Sequence, residues 1–112
     1  YSIYSYESSY SNTGLFHIYA ATNPEPALLI YDEIFKIIDE VREHGFDEKD
    51  IEETKKQIRV NLTIASESTK NRMNSNARHI MKHGKIIPLN DVIERVNAIT
   101  KENVDGLAKE IL

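Results

Sequence analysis

Tyr1-Ser2-Ile3-Tyr4-Ser5-Tyr6 and Leu15-Phe16-His17-Ile18-Tyr19 flank the run Ser8-Ser9-Tyr10-Ser11-Asn12-Thr13-Gly14 at the head of the chain. Aromatic and β-branched side chains interleaved with serine suit a pleated surface. The Ser/Asn/Gly run between them has the chemistry of a turn. Residues 1–21 therefore read as a β-hairpin. Two strands alone are marginal in water, so the hairpin is expected to join an antiparallel sheet whose other strands lie outside these residues.

At Asn23 the period changes from two to that of a helix. Asn23 suits an N-cap and Pro24 the first helical position. Ala27, Ile30, Tyr31, Ile34, Ile37, Ile38 and Val41 then recur at helical spacing, and Gly45 stops the run. Asp47 is placed to cap a second helix, with Phe46 and Ile51 as a hydrophobic staple. Ile51, Ile58, Leu62 and Ala65 form its apolar side, and residues 66–69 break or bend it. A third helix, with Met73, Ala77, Ile80 and Met81 as its apolar side, ends at Gly84. Pro88-Leu89-Asn90 opens a fourth with Val92, Ile93 and Val96 inward. Thr100 caps a fifth, with Ile99 and Val104 as staple and Leu107, Ala108 and Ile111 as its apolar face.

A hairpin followed by about five helices is an α+β pattern. It is expected to be one partial domain over residues 1–112, with a hairpin (1–21) and a helical part (24–112). The first residue is Tyr rather than Met and no leader pattern precedes it, so a fragment of a longer chain or a trimmed start is expected.

Composition narrows the classes of function. The 112 residues include 14 Lys+Arg against 18 Asp+Glu and no cysteine. Disulfides, thiol nucleophiles and cysteine-ligated zinc are thereby excluded within the chain, and a reducing cytoplasm is the default compartment. No apolar run approaches the roughly 20 residues of a membrane span. Charge is segregated: residues 25–53 hold eleven acids and three bases, net −8, and residues 54–85 hold eight bases and one acid, net +7. Neighbouring helices of opposite sign that face each other are the expected result. Nucleic-acid binding by the basic block is the rival reading. It is disfavoured because the chain is acidic overall and the block lacks interleaved aromatics.

Few residues have the pattern of a reaction centre. His79 and His83 stand four apart, as on zinc-binding helices. In the inverted zincin motif H-x-x-E-H the fourth residue is the glutamate base; here it is Lys82, and no third ligand stands at a fixed spacing. The alternative is a solvated basic helix end, favoured by the helix dipole. His17 reads as a strand-face residue and His44 as a cation in a helix's last turn. There is no phosphate-cradling glycine loop and no nucleophile elbow. Asn61-Leu62-Thr63 matches a glycosylation acceptor, but within a predicted helix. Tyrosines of the hairpin could donate to an oxyanion in a cleft, or simply be sheet-face aromatics.

Taken in order, several segments resemble the metal-free repeat of the pitrilysin/insulinase-type zinc metallopeptidases, which include the mitochondrial processing peptidases. They are Tyr1-Ser2-Ile3-Tyr4-Ser5-Tyr6, Thr13-Gly14-Leu15-Phe16, Asn23-Pro24-Glu25, Glu67-Ser68-Thr69 with Arg72-Met73, Gly84 with Leu89-Asn90-Asp91, and Ile99-Thr100-Lys101-Glu102-Asn103-Val104. Ala21 stands where that family often has Gly, and Asn76-Ala77-Arg78 where it often has Leu-Gly-Arg. The resemblance implies paired α/β sandwich units, in one chain or as a dimer, that enclose a chamber. One unit bears H-x-x-E-H and the zinc. The other, which this chain resembles, binds substrate and holds no metal. Tyr1 matches that unit's tyrosine, whose Arg partner lies seven residues earlier, before this chain begins. The resemblance thus implies that the Tyr1 hydroxyl bonds the scissile carbonyl or the oxyanion. It also implies that an extended peptide is the substrate, added as a strand to the catalytic half, and that zinc sits in that half alone. No nucleic acid or membrane partner is implied. The alternative within the same fold is a non-catalytic scaffold or partner-binding subunit.

Overall fold

The computed structural model describes residues 2–112; Tyr1 lies outside the described residues. Strands β1 (Ser2–Ser9) and β2 (Gly14–Ala21) form an antiparallel two-stranded sheet. Helices α1 (Ala27–His44), α2 (Glu48–Glu67), α3 (Thr69–His83), α4 (Leu89–Ala98) and α5 (Lys101–Ile111) follow. This is the expected α+β order of a hairpin and five helices. The chain divides into two compact units, residues 2–45 with 105–112, and residues 46–104.

In the first unit, Tyr10 N–H donates to Thr13 carbonyl at 2.9 Å and closes the hairpin turn. The register sets Tyr4 opposite Tyr19, Tyr6 opposite His17 and Ile3 opposite Ala20. Side chains alternate along a strand, so Tyr4, Tyr6, His17 and Tyr19 share one face and Ile3, Ser5, Ile18 and Ala20 the other. Ile3 and Ala20 meet Ile30, Ile34 and Ile37 of α1 around an apolar cavity of about 320 Å³.

Helix α1 starts three residues later than the Asn23 cap predicts. A second proline is the cause. Pro26 disfavours the α region at Glu25, and the chain instead turns, with Ala27 N–H donating to Pro24 carbonyl at 3.3 Å. The helical ladder begins with Ile30 N–H on Pro26 carbonyl. At the other end Gly45 adopts φ 75°, and its N–H donates to Val41 carbonyl. A side chain there is doubly disfavoured, because a Cβ would also stand 2.6 Å from the Asp105 carboxylate.

In the second unit α2 packs against α3 and α4. Its cap is as expected: the Asp47 carboxylate accepts from Lys49 N–H at 2.8 Å. Ser68 ends α2 in an extended conformation and caps α3 through its hydroxyl. Gly84 ends α3 in the left-handed conformation. Thr100 and Asn103 cap α5 reciprocally: each side-chain oxygen accepts the other residue's N–H. That is a capping box with Asn in the usual Glu place.

Burial departs from the expected stripes. Among the described residues the buried apolar side chains are Ile51, Ile87 and Ala108. On α1, Ile30, Ile34, Ile38 and Val41 are half-buried, while Ala27, Tyr31 and Ile37 are exposed. On α3 the expected inward set is outward: Met73, Ala77 and Ile80 are exposed, and Met81 is 86% exposed. Helical spacing identifies an apolar face but not the neighbour it meets. On α5, Ala108 is buried, and Leu107 and Ile111 are exposed.

The most buried charge among the described residues lies on the apolar face of α2. Lys55 is 8% exposed. Its ammonium donates to Glu52 Oε1 and to Ile99 carbonyl, both at 2.8 Å. The carbonyl lies at the C-terminal cap of α4, 44 residues away. Lys55 stands four residues after Ile51, within the same face as Ile58 and Leu62, so its stem packs while its head is satisfied.

Lys55→Ala is expected to destabilise the fold by about 1–3 kcal/mol, because it removes a buried, packed stem and the long-range bond to the Ile99 carbonyl. Urea unfolding of the two proteins measures it. Gly45→Ala is expected to cost more than Gly84→Ala. Both force a left-handed alanine at about 1–2 kcal/mol, but Gly84 has open space around it, whereas Gly45 faces Asp105.

Candidate functional site

The residue to which a chemical role attaches by resemblance, Tyr1, lies outside the described residues. What the structure describes is the strand that follows it. Tyr4 stacks on Tyr19 with ring centres 4.9 Å apart, and Tyr6 on His17 at 4.5 Å and 9°. Tyr4 and Tyr6 lie 6.0 Å apart along the strand. These four rings form one aromatic ladder on the hairpin face opposite the α1 cavity. Cross-strand aromatic pairs of this kind hold register. His17 is thus a strand-face residue, as its position predicts. The tyrosines are exposed.

The tempting histidine pair separates into two roles. His79 is half-buried, and its Nδ1 accepts the Ile87 N–H at 3.3 Å. It therefore pins the loop between α3 and α4. With Nδ1 as acceptor, the neutral ring carries its proton on Nε2. His83 is exposed in the last turn of α3, with Lys82 beside it. The rings are 6.3 Å apart at 53°. No group of three His, Cys, Asp or Glu residues among the described residues is arranged to hold a metal ion. The description of a solvated basic helix end fits Lys82 and His83 but not His79. His44 is exposed in the last turn of α1, where a cation favours the helix dipole.

Asn61-Leu62-Thr63 lies in the middle of α2, and the Thr63 hydroxyl donates to Arg59 carbonyl at 2.9 Å. The segregated charges pair locally. Glu33–Lys36, Asp39–Arg42, Lys49–Glu53 and Glu52–Lys55 all join residues three or four apart on one helix. These ion pairs do not bring helices of opposite sign face to face, as the charge blocks predict. Side chains three or four apart on a helix meet with little loss of freedom, and exposed pairs gain too little to order two helices.

A second concave site lies within the helical unit. A cleft of about 720 Å³ is enclosed by α2, α3, the loop after it and α4. Leu62, Ala65, Ile87, Leu89 and Val92 give it an apolar floor, and Arg72, Arg78, Ser75 and His79 of α3 give it a polar wall. Its signal in the sequence is the spacing of Arg72, Ser75 and His79, a helical face opposite the more conspicuous Met73, Ala77 and Ile80.

Residues 1–58 match the family model described as the peptidase M16 inactive domain. Over 99% of its length the chain is 32% identical to an uncharacterized zinc protease of Bacillus subtilis, YmxG, covering 27% of that protein. It is 28% identical over its full length to an uncharacterized zinc protease of Streptomyces coelicolor, covering 24% of it. It is 25% identical over 96% of its length to the alpha subunit of the mitochondrial-processing peptidase of Neurospora crassa, covering 19% of it. The chain thus spans about a quarter of the length of these two bacterial relatives.

With two imidazoles, one of them engaged by Ile87, a zinc titration followed by equilibrium dialysis is expected to give no stoichiometric ion. Equimolar zinc that is lost on H79A/H83A would contradict the geometry described.

Proposed function

Because the chain belongs to the peptidase M16 family as its inactive domain, we propose that it is the substrate-binding, metal-free half of a zinc metallopeptidase that hydrolyses peptide bonds. The observation that carries the reading is the family match over residues 1–58, which takes in the whole hairpin and α1. The names of the bacterial relatives support it. In this reading Tyr1 is the working group. Its hydroxyl donates a hydrogen bond to the scissile carbonyl oxygen and holds that bond as negative charge develops there. The paired strand that follows Tyr1 in the sequence, with its cross-strand aromatic contacts, supports the reading, because such a donor must not reorganise during the reaction.

Among the described residues no group of three His, Cys, Asp or Glu is placed to hold a metal ion, which supports assigning the zinc to another part of the enzyme. The metal and its base belong, in this proposal, to a homologous catalytic half, in the same chain or in a second subunit of a dimer. An extended peptide lies between the halves, paired to the catalytic half's sheet edge. The hairpin and helices are part of a larger unit. Support comes from the exposure of Leu28, Leu29, Met73 and Met81 and from the apolar cavity under the hairpin, surfaces that a complete core would cover. Among the described residues no helix is long and apolar enough to cross a membrane. A cytoplasmic location is proposed; the absence of cysteine supports it, since no disulfide is called on to hold the chain.

Tyr1→Phe in the protein at its natural length is the test. Peptidase kcat/KM is expected to fall by roughly a hundred- to a thousandfold, the cost of one oxyanion donor, with bound zinc unchanged. Unchanged kcat/KM would remove Tyr1 from the chemistry. A full-length protein with neither zinc nor peptidase activity would instead favour the scaffold subunit.

A further inference from the structure

We propose that the cleft between α2, α3 and α4 is a docking site for an acidic peptide segment bearing an apolar side chain next to its carboxylates.

The proposal starts from an inversion in α3. Its apolar stripe is exposed, while Ser75 and His79 are half-buried at the cleft, where the exposed Arg72 and Arg78 join them in lining an apolar floor. A helix that turns a cationic face toward aliphatic side chains leaves that face short of partners. No ion pair of Arg72 or Arg78 is found among the described residues, and no carboxylate lines the cleft. Arg72 and Arg78, nearly two turns apart along α3, give the cleft's polar wall two separate cationic groups. A guanidinium binds a carboxylate through a planar fork of two N–H groups. Because His79 Nδ1 accepts from Ile87 N–H, the neutral imidazole keeps Nε2–H as a further donor at the wall.

The floor selects the class of ligand. Leu62, Ile87, Leu89 and Val92 call for an apolar group, which a bare inorganic anion lacks. No Phe, Tyr or Trp lines the cleft, so the stacking platform that single-stranded nucleic acid uses is missing. A volume of about 720 Å³ falls in the range of ligand-binding clefts and exceeds what one carboxylate fills. The side-chain amides of Asn71, Asn74 and Asn76, which also line it, can donate to and accept from a peptide backbone. Charge also favours the encounter, since residues 54–85 have a net charge of +7.

Fluorescence anisotropy of a labelled peptide of alternating Glu and Leu, titrated with the protein at its natural length, tests the proposal. Saturable binding is expected, weakened by added salt and lost for the Gln/Leu counterpart. R72Q/R78Q is expected to weaken it by about tenfold or more, the loss of charge-assisted hydrogen bonds. K109Q, outside the cleft, is expected to leave it unchanged, as is the helical signal in circular dichroism for both variants. Leu89→Ala, which trims the floor and leaves the charges, is expected to weaken binding as well. Four outcomes would overturn the proposal: no saturable binding, equal binding of the Gln/Leu peptide, indifference to R72Q/R78Q, or tighter binding of single-stranded DNA than of the acidic peptide.

Discussion

A buried lysine ammonium orders the helical unit. Lys55 donates at 2.8 Å to a carboxylate one turn away and to a carbonyl 44 residues away. The first bond is local and fixes the rotamer. The second spans the unit and sets the end of α4 against α2. Both acceptors are needed because an ammonium removed from water is tolerated only where its protons find oxygen. With α4 placed, its Leu89 and Val92 complete a floor with Leu62 of α2. The loop before α4 is placed in turn by Ile87 N–H on His79. Long-range order in this unit rests on a few polar bonds over a small apolar centre.

Sparse burial is the second governing fact. Three buried apolar side chains among the described residues make a thin core for a chain with 40% hydrophobic residues. The remaining apolar surface is organised rather than scattered. It forms the hairpin face toward α1, the outer stripe of α1 and the outward stripe of α3. Contiguous apolar faces of this kind are docking surfaces. They accord with the proposed reading of this chain as one half of a pair. The exposed aromatic ladder of the hairpin differs in character: its rings stack on one another across the strands.

Much of the fold was legible in the sequence because its signals are local. Asp47, Ser68, Gly45, Gly84 and Thr100 punctuate the helices through bonds to backbone groups within four residues. The α1 start was misread because two prolines compete at the cap, and the later one governs the geometry. The inward face of α3 was misread for a different reason. Periodicity locates an apolar stripe on a helix, and which stripe is covered depends on what else is present to cover it. His79 likewise looked like half of a metal site. Its partner is a backbone amide eight residues on, which spacing rules for ligands do not consider. The site residue Tyr1 was legible only through family resemblance, since a tyrosine in a strand has no chemical signature of its own.

The sequence by itself determined the elements: a hairpin, five helices and nearly all their boundaries. It did so because caps, turns and strand alternation are settled within a few residues. Family membership was also written there, in the order and spacing of short segments. Tertiary structure alone decided that Lys55 is buried, that His79 serves a loop, and that Arg72 and Arg78 border an apolar cleft. Those outcomes depend on groups far apart in the chain meeting in space, where desolvation makes the cost of an unpaired polar atom large enough to choose the arrangement.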